Sequence, residues 1–573
     1  MPKTFRTNLI FSFFVLLTLI FVIRIYHLQV RSYGKYKALA NEQHQSSLRL
    51  SARRGDIYTS DNYPLALTET RYLMFAEPKK IADAAKCANS IAGVLEEDVN
   101  KRVEMELKIK ENLSSDLFWV SLKRDLTAGQ KEEVEGLNFT GIGFEEEFVR
   151  YYPENNLASH ILGFVGKDKE GSPKGYFGVE GYYDGELKGI EGMVFQEKDA
   201  FGYPITVGDY RRIPPKNGRG LVLTVDRAVQ FVVEDKIKSA VQKYDAKSGT
   251  VIVVEPQTGK IIALANFPNF DPTEPFRDVS EINPMGENVR DKAIADTYEP
   301  GSVVKALTMS SAIDIGKVTP ESTYMDDGPK SFSGHIVDTW DGKHYGLETI
   351  ISILQHSNNL GAAWVGNVVG AKNLRGYFIN FGFGDKLGVD LEGEDTGIIR
   401  ALSEWRDIDL ATASFGQGIS ATPLQVVMAF SAIANDGVLM KPFVVEKVID
   451  ESGRIITKFE PKVLKKVISK SSAKTMVEML TSAVSGGEAK FFVSKKYLVA
   501  GKTGTAQIPV GGGYDPNKTN ATFVGFLPKG RKFVMLVKLE EPKTSIYASE
   551  TAVPVWMDVS ESLAAYYRIP PDK

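Results

Sequence analysis

Only one cysteine stands among 573 residues, at Cys87. A lone thiol forms no internal disulfide and no zinc site of the cysteine-rich kind. Histidine is nearly as scarce. His27, His44, His160, His335, His344 and His356 are scattered, with no HExxH or other ligand spacing. The sequence offers no ligand set, so no metal or other cofactor is expected. An excess of one charge is also missing. The chain carries 69 Lys+Arg against 72 Asp+Glu, a formal charge of −3. That excludes the basic footprint of a nucleic-acid binder. No short-period repeat is present, which excludes a solenoid.

Long apolar runs are missing too, except at the N-terminus. Leu9 to Ile23 of "MPKTFRTNLIFSFFVLLTLIFVIRIYHLQV" carries no charge, with Lys3 and Arg6 ahead of it. Where a cleavable signal peptide offers small residues, this chain has Arg24, Ile25, Tyr26 and His27. Phe5 to Tyr26 reaches the ~20 residues of a membrane span if Arg6 and Arg24 extend to the interfaces. The sequence therefore predicts an uncleaved signal anchor. Arg31, Lys35 and Lys37 on the far side leave the charge rule for orientation undecided. The short leading segment favours export of the large C-terminal part.

The length calls for at least two domains beyond the anchor. From about Val30 to Asn217 the pattern is mixed. "RRGDIYTSDNYPLA" (Arg53 to Ala66) and "KDKEGSPKGYFGVEGYYDG" (Lys167 to Gly185) read as loops, and "RRIPPKNGRG" (Arg211 to Gly220) as a linker. Then the pattern changes. "GLVLTVD" reads as a strand, Ala228 to Tyr244 as an amphipathic helix, "GTVIVVEP" and "KIIALANFP" as a hairpin. "YLVAGKTGTAQI", "ATFVGF" and "KFVMLVKLE" read as later strands, with helical stretches between. Strands at both ends and helices in the middle predict an α+β layer fold.

The chemistry begins with "YEPGSVVKALTMSSAID", where Ser302 and Lys305 stand three residues apart among apolar neighbours. A desolvated lysine gives up its proton more easily and can serve as a base. SxxK alone is weak, because it also occurs at Ser32–Lys35 and Ser471–Lys474. Only Ser302 opens an apolar helix after Pro-Gly, where a lysine three residues on reaches its hydroxyl. The helix N-terminus also favours developing negative charge. Further along stand Ser357-Asn358-Asn359, an SxN, and Lys502-Thr503-Gly504. The decoys "SDN" (Ser60 to Asn62) and "KSG" (Lys247 to Gly249) precede Ser302 and do not fit a serine-first order. SxxK, SxN and KTG in that order are the set of penicillin-binding proteins and class A β-lactamases.

With these motifs the chain resembles the class B penicillin-binding proteins, the membrane-anchored D,D-transpeptidases of bacterial cell-wall synthesis. The resemblance spans nearly the whole chain. It takes in the anchor and "RRGDIYTSDNYPLA", which is like the family's RGxIxDRxGxxLA without its arginine and glycine. It also takes in "RYYP" (Arg150 to Pro153), "GVEGYYDGELKGIEG" (Gly178 to Gly192), "TVDRAVQ" and "SFGQGISATPLQ" (Ser414 to Gln425). The GQG segment and KTG rather than KSG look closer to the division-type, FtsI-like branch. The resemblance implies a cytoplasmic segment 1–7, an anchor 8–27, an N-terminal pedestal (dimerisation-like) domain 28–217 and a transpeptidase domain 218–573. The last is expected to be an antiparallel sheet with flanking helices.

It also implies roles. Ser302 is the nucleophile and Lys305 its base, with the lysine's pKa drawn down by burial and by Lys502. Ser357 relays a proton to the departing amine, and Asn359 bonds Lys305 and the substrate backbone. The backbone N–H groups of Ser302 and Thr505 form the oxyanion hole. Thr503, Gly504 and Thr505 bind substrate, the two hydroxyls taking the terminal carboxylate of a D-Ala-D-Ala stem. "GKTGTAQ" on an edge strand lets the peptide add as a further strand. Expected partners are donor and acceptor peptidoglycan stem peptides, β-lactam inhibitors, the membrane, a SEDS-type (FtsW-like) glycosyltransferase and other divisome proteins.

His356 adjoins Ser357, but neighbours on a helix point ~100° apart, so a serine–histidine pair is not expected. Gly511 to Gly513 read as a flexible loop beside the site, lacking the lysine of a phosphate loop. Four rivals stay open: an elongation-type enzyme, a serine β-lactamase, a penicillin sensor and an inactive scaffold. A β-lactamase needs a deacylating base, for which Glu394 and Glu404 are candidates. The intact motif set argues against a scaffold, and a single anchor against a sensor.

Overall fold

The computed structural model describes residues 3–37, 45–197, 210–276, 286–511 and 513–572. Helix α1 (Lys3–Tyr26) continues into a π-helical turn over His27–Arg31. Among the described residues, Thr4–Arg31 is the one helical stretch long and apolar enough to cross a membrane. It belongs to a compact unit of residues 1–53 and 189–217. There Gly192–Glu197 pairs antiparallel with both Gln45–Leu50 and Tyr210–Ile213. The expected linker at Arg211–Gly220 is therefore corrected at its start. Arg211, Arg212 and Ile213 pair with Phe195, Val194 and Met193. Pro214 and Pro215, with no N–H to give a ladder, mark the strand's end.

The second unit joins residues 54–188 to 218–573. Its first sheet has seven strands, and Gly220–Leu223 lies between Val445–Ile449 and Ile57–Tyr58. Leu221 and Val222 pair in parallel with Ile57 and Tyr58. The two stretches read as loops are thus built into ordered structure. Ile57–Tyr58 turns back into the long strand Pro64–Ala76, and Phe164–Lys167 forms a hairpin with Pro173–Tyr176. Asn62 supplies a left-handed residue at φ +63°, which asparagine tolerates.

Polar composition concealed this because the interior here is ionic. Arg54 Nε donates to Glu180 at 2.6 Å and its Nη1 to Asp184 at 2.7 Å. Arg150 Nε donates to the other Glu180 oxygen at 2.7 Å and its Nη1 to the Gly55 carbonyl at 2.8 Å. Glu180 has no exposed surface. Three motifs far apart in sequence, RRGD, RYYP and GVEGYYD, meet in one buried ion cluster.

The remainder is organised by a five-stranded sheet: β1 (Ser248–Val254), β2 (Ile261–Phe267), β3 (Ala500–Val510), β4 (Gly513–Phe526) and β5 (Val534–Glu540). The spatial order is β2-β1-β5-β4-β3, antiparallel throughout. Successive side chains alternate between faces. Val251 and Val253 pack with helices α2 (Arg227–Lys243) and, later in the chain, Ala552–Tyr566, where Trp556 is fully buried. Ile252 and Val254 join the opposite core with Leu307 of α3 (Lys305–Asp314). Two short helices follow, α4 (Ile350–His356) and α5 (Asn359–Val369). Next come the wholly buried α6 (Pro423–Ala434) and then α7 (Lys470–Gly486). The α+β expectation and every strand expected from Gly220 onward are met. The KTG strand β3 lies at the sheet's edge.

Candidate active site

Three separate elements bring the motif residues together. Ser302 sits in a 3-10 turn, Gly301–Val304, that runs directly into α3. Side chains three apart eclipse in a 3-10 turn, which stacks Ser302 and Lys305 more directly than an α-turn does. Gly301 takes φ +58° and donates its N–H to the Gly416 carbonyl at 3.0 Å. Gly416 itself has φ +85°, and a Cβ there would lie 2.2 Å from the Gly301 carbonyl oxygen. The GQG segment therefore supports the serine turn by backbone contact. Gly504 does the same from β3, where a Cβ would meet the Pro300 carbonyl oxygen at 2.9 Å.

Ser302 is half-buried, and its hydroxyl makes no hydrogen bond among the described residues. Lys305 is fully buried. Its Nζ contacts the Ser357 carbonyl, Asn359 Oδ1 at 2.8 Å and Ser357 Oγ at 3.2 Å. Ser357 follows α4 in the left-handed conformation, φ +55°, and both its carbonyl and its hydroxyl meet the lysine. Lys502 of β3, 4% exposed, donates to Ser357 Oγ at 3.0 Å and to Thr503 Oγ1 at 3.1 Å. Two lysines thus converge on one serine hydroxyl, with no carboxylate within 4.0 Å of either ammonium among the described residues.

Burial drives the Lys305 pKa well below its ordinary value, and the like charge of Lys502 adds to the effect. Burial also lowers Lys502, while Glu488 pulls the other way. Two carbonyl oxygens, of Ser357 and Asn359, claim two N–H bonds of a neutral Lys305 amine. The third direction remains for its lone pair.

Residues 249–561 match the family "Penicillin binding protein transpeptidase domain", and residues 49–223 match "Penicillin-binding Protein dimerisation domain". The chain is a class B penicillin-binding protein. It is 32% identical over 563 residues to Stage V sporulation protein D of Bacillus subtilis (strain 168), covering 96% of this chain and 84% of that one. It is 28% identical over 571 residues to the peptidoglycan D,D-transpeptidase FtsI of Escherichia coli (strain K12), covering 97% and 91%. In fold it is similar to penicillin-binding protein 2X from Streptococcus thermophilus, at TM-score 0.78 and 23% identity, over 91% of this chain and 80% of that one. A peptidoglycan synthetase from Bifidobacterium adolescentis gives TM-score 0.73 at 25% identity, over 92% and 98%.

In the structure of this penicillin-binding protein the Thr503 hydroxyl donates to Glu488 at 3.0 Å while accepting from Lys502. Thr505 accepts from the Ala548 N–H at 3.1 Å and keeps its own proton to donate. Glu488 was missed, because nothing near it in sequence marks it. It follows α7 in a short 3-10 turn and reaches β3 only through packing. The two acids considered as deacylating bases serve the backbone instead. Glu394 accepts from the Leu387 and Gly388 N–H groups, and Glu404 from that of Ala401.

His356 bonds Glu348 at 2.7 Å and stacks on Tyr345, facing away from a role with Ser357. Glu348 also accepts from Asn358 at 2.6 Å, holding the middle of the SxN. The decoy pair Ser471 and Lys474 is exposed on α7. Gly511 forms a turn, and Gly512 of the expected glycine loop lies outside the described residues.

Proposed function

We propose that this penicillin-binding protein cross-links peptidoglycan stem peptides as a D,D-transpeptidase. Ser302 attacks the carbonyl between the two terminal D-alanines of a donor stem, and neutral Lys305 takes its proton. The protonated lysine then donates to Ser357 Oγ, which passes its own proton to the departing D-alanine amine. An acyl-enzyme ester remains on Ser302, and the amine of a second stem peptide resolves it. Lys502 holds the Ser357 hydroxyl, and Asn359 keeps Lys305 in register. The backbone N–H groups of Ser302 and Thr505 serve the oxyanion, Thr505 Oγ1 the terminal carboxylate, and the edge of β3 with Gly504 the peptide backbone.

The observation that carries this reading is the convergence of Lys305 and Lys502 on Ser357 Oγ, at 3.2 and 3.0 Å. β-Lactams acylate the same serine. The reading further places the catalytic domain, residues 218–573, and the pedestal, 28–217, on the outer side of the cytoplasmic membrane, with residues 1–7 inside. It assigns a septal role beside a SEDS-type glycosyltransferase and divisome proteins, in line with the FtsI-like match.

Labelling with a fluorescent penicillin tests it. The protein should form one stable adduct on Ser302, and Ser302→Ala should remove it. An adduct mapped to Ser32 or Ser471 would overturn the site. Rapid multiple turnover of penicillin would make the enzyme a hydrolase instead.

A further inference from the structure

A cleft of about 690 Å³ is lined by none of Ser302, Lys305, Ser357 and Lys502. It opens beside Thr297, Tyr298 and Glu299, between the 398–400 and 418–420 segments and the outer ends of β3, β4 and β5. Its lining is charged but balanced, with four cations and four carboxylates.

Three of those cations are already paired. Lys247 meets Glu540 at 2.8 Å, Arg290 meets Asp296 at 2.8 Å, and Arg400 meets Asp409 at 2.7 Å. Lys538 differs. It is only 5% exposed, with no hydrogen bond and no carboxylate within 4.0 Å among the described residues, and Glu540 and Asp296 act on its charge only from farther away. Its Nζ lies over the Tyr298 ring, 4.7 Å from the centroid. Burying a charge without a hydrogen-bonded partner is costly, so such a site favours an anion. Two further polar atoms of the lining, Asn520 Oδ1 and Ser420 Oγ, are buried and have no hydrogen-bond partner among the described residues, and Asn520 is 8% exposed. An amide oxygen accepts only, so Asn520 asks for an N–H or O–H donor.

We propose that this cleft binds a zwitterionic α-amino acid or short peptide with free termini. Its carboxylate pairs with Lys538, and its ammonium donates to Asn520 Oδ1 and Ser420 Oγ. The equal numbers of lining charges fit a ligand of no net charge better than a simple anion. None of the catalytic residues lines the cleft, and the proposal rests on none of the roles assigned to them.

The test uses the full chain in detergent, with D-alanine and D-alanyl-D-alanine as probes, read by saturation-transfer NMR and calorimetric titration. Both zwitterions should bind saturably. D-alanine amide, without the carboxylate, and N-acetyl-D-alanine, without the ammonium, should each bind at least about tenfold more weakly, the scale of one lost charged hydrogen bond. Lys538→Met should lower affinity by about tenfold or more, and the milder Ser420→Ala by a smaller factor. Thermal melts check that both variants fold.

Titrations are repeated on protein acylated by benzylpenicillin, so that occupancy of the catalytic cleft is excluded. If penicillin does not acylate, the proposed function fails, while titrations of the unacylated protein and its Lys538 variant still decide the cleft. Absence of saturable binding by both zwitterions, or affinities unchanged in Lys538→Met, would overturn the proposal.

Discussion

Two buried charged clusters in this protein are built on opposite plans. Around Glu180, Arg54 and Arg150 are met by carboxylates at 2.6 to 2.7 Å. Burial opposes the Arg54 charge, but Glu180 and Asp184 outweigh it and raise its pKa. Around Ser357, the two lysine ammonium groups are hydrogen-bonded only to neutral oxygens among the described residues. There burial wins, and Lys305 falls well below its ordinary value. The first cluster fixes charge and so joins distant pieces of chain. The second disfavours charge and leaves Lys305 the neutral amine that the proposed mechanism uses as its base. Equal burial yields structure or chemistry according to whether a carboxylate is supplied.

The largest effect should come from restoring a fixed charge in the second cluster. Lys305→Arg cannot deprotonate usefully and should slow β-lactam acylation by about 10²–10⁴-fold, close to Lys305→Ala. In the wild type the acylation rate should climb as pH rises through the lowered Lys305 pKa, because the base must be neutral. Stability should follow the same sign. Between that lowered value and 10.5 the unfolded chain holds the extra proton, so this lysine's destabilising contribution shrinks as pH rises. Rates measured by stopped-flow with a fluorescent penicillin decide the first point. A Lys305→Arg enzyme of near wild-type rate would erase the contrast between the clusters.

Breaking the first cluster should cost stability instead. Arg54→Met leaves Glu180 buried with one partner fewer and should destabilise by ~3–5 kcal/mol in denaturant titrations. The protein that remains folded should still acylate at the wild-type rate. A loss of rate without a loss of stability would show that the ion cluster serves the chemistry.

Glu488 is the nearest thing to a carboxylate in the second cluster, and its removal sharpens the comparison. It raises both lysines. Glu488→Gln should therefore move the rising limb of the rate–pH profile to lower pH. It should also change acylation at neutral pH by about tenfold, as for one charged hydrogen bond. An unmoved profile would remove Glu488 from the proton balance.

The smallest effect belongs to the exposed decoy. Ser471→Ala with Lys474→Ala should leave stability within about 0.5 kcal/mol and labelling unchanged. Loss of the penicillin adduct would show that motif spacing, rather than burial, had been misread.

Much of this was local and therefore legible. The strands from Gly220 onward follow from runs of β-branched residues, and Ser302 with Lys305 needs only a spacing of three on one turn. The order of the three motifs was enough to select five catalytic candidates, and the structure brings Lys305, Ser357, Asn359 and Lys502 into one hydrogen-bonded group. RRGD and GVEGYYD were misread as loops because charge is normally a surface signal. Their pairing spans 126 residues.

Sequence by itself determined the apolar N-terminal helix, the strand and helix pattern of the catalytic part, and which serine and lysines to choose among decoys. Each depends on neighbours within a few residues. Tertiary structure alone decided that Lys305 is shut away from solvent, that Thr503 turns to Glu488, and that Gly416 must lack a Cβ where it meets Gly301. It also decided that Lys538 has no carboxylate within 4.0 Å among the described residues. Those facts depend on which groups exclude solvent from one another across separations from 15 to more than a hundred residues, and a pKa or a hydrogen bond is set by that exclusion rather than by spacing.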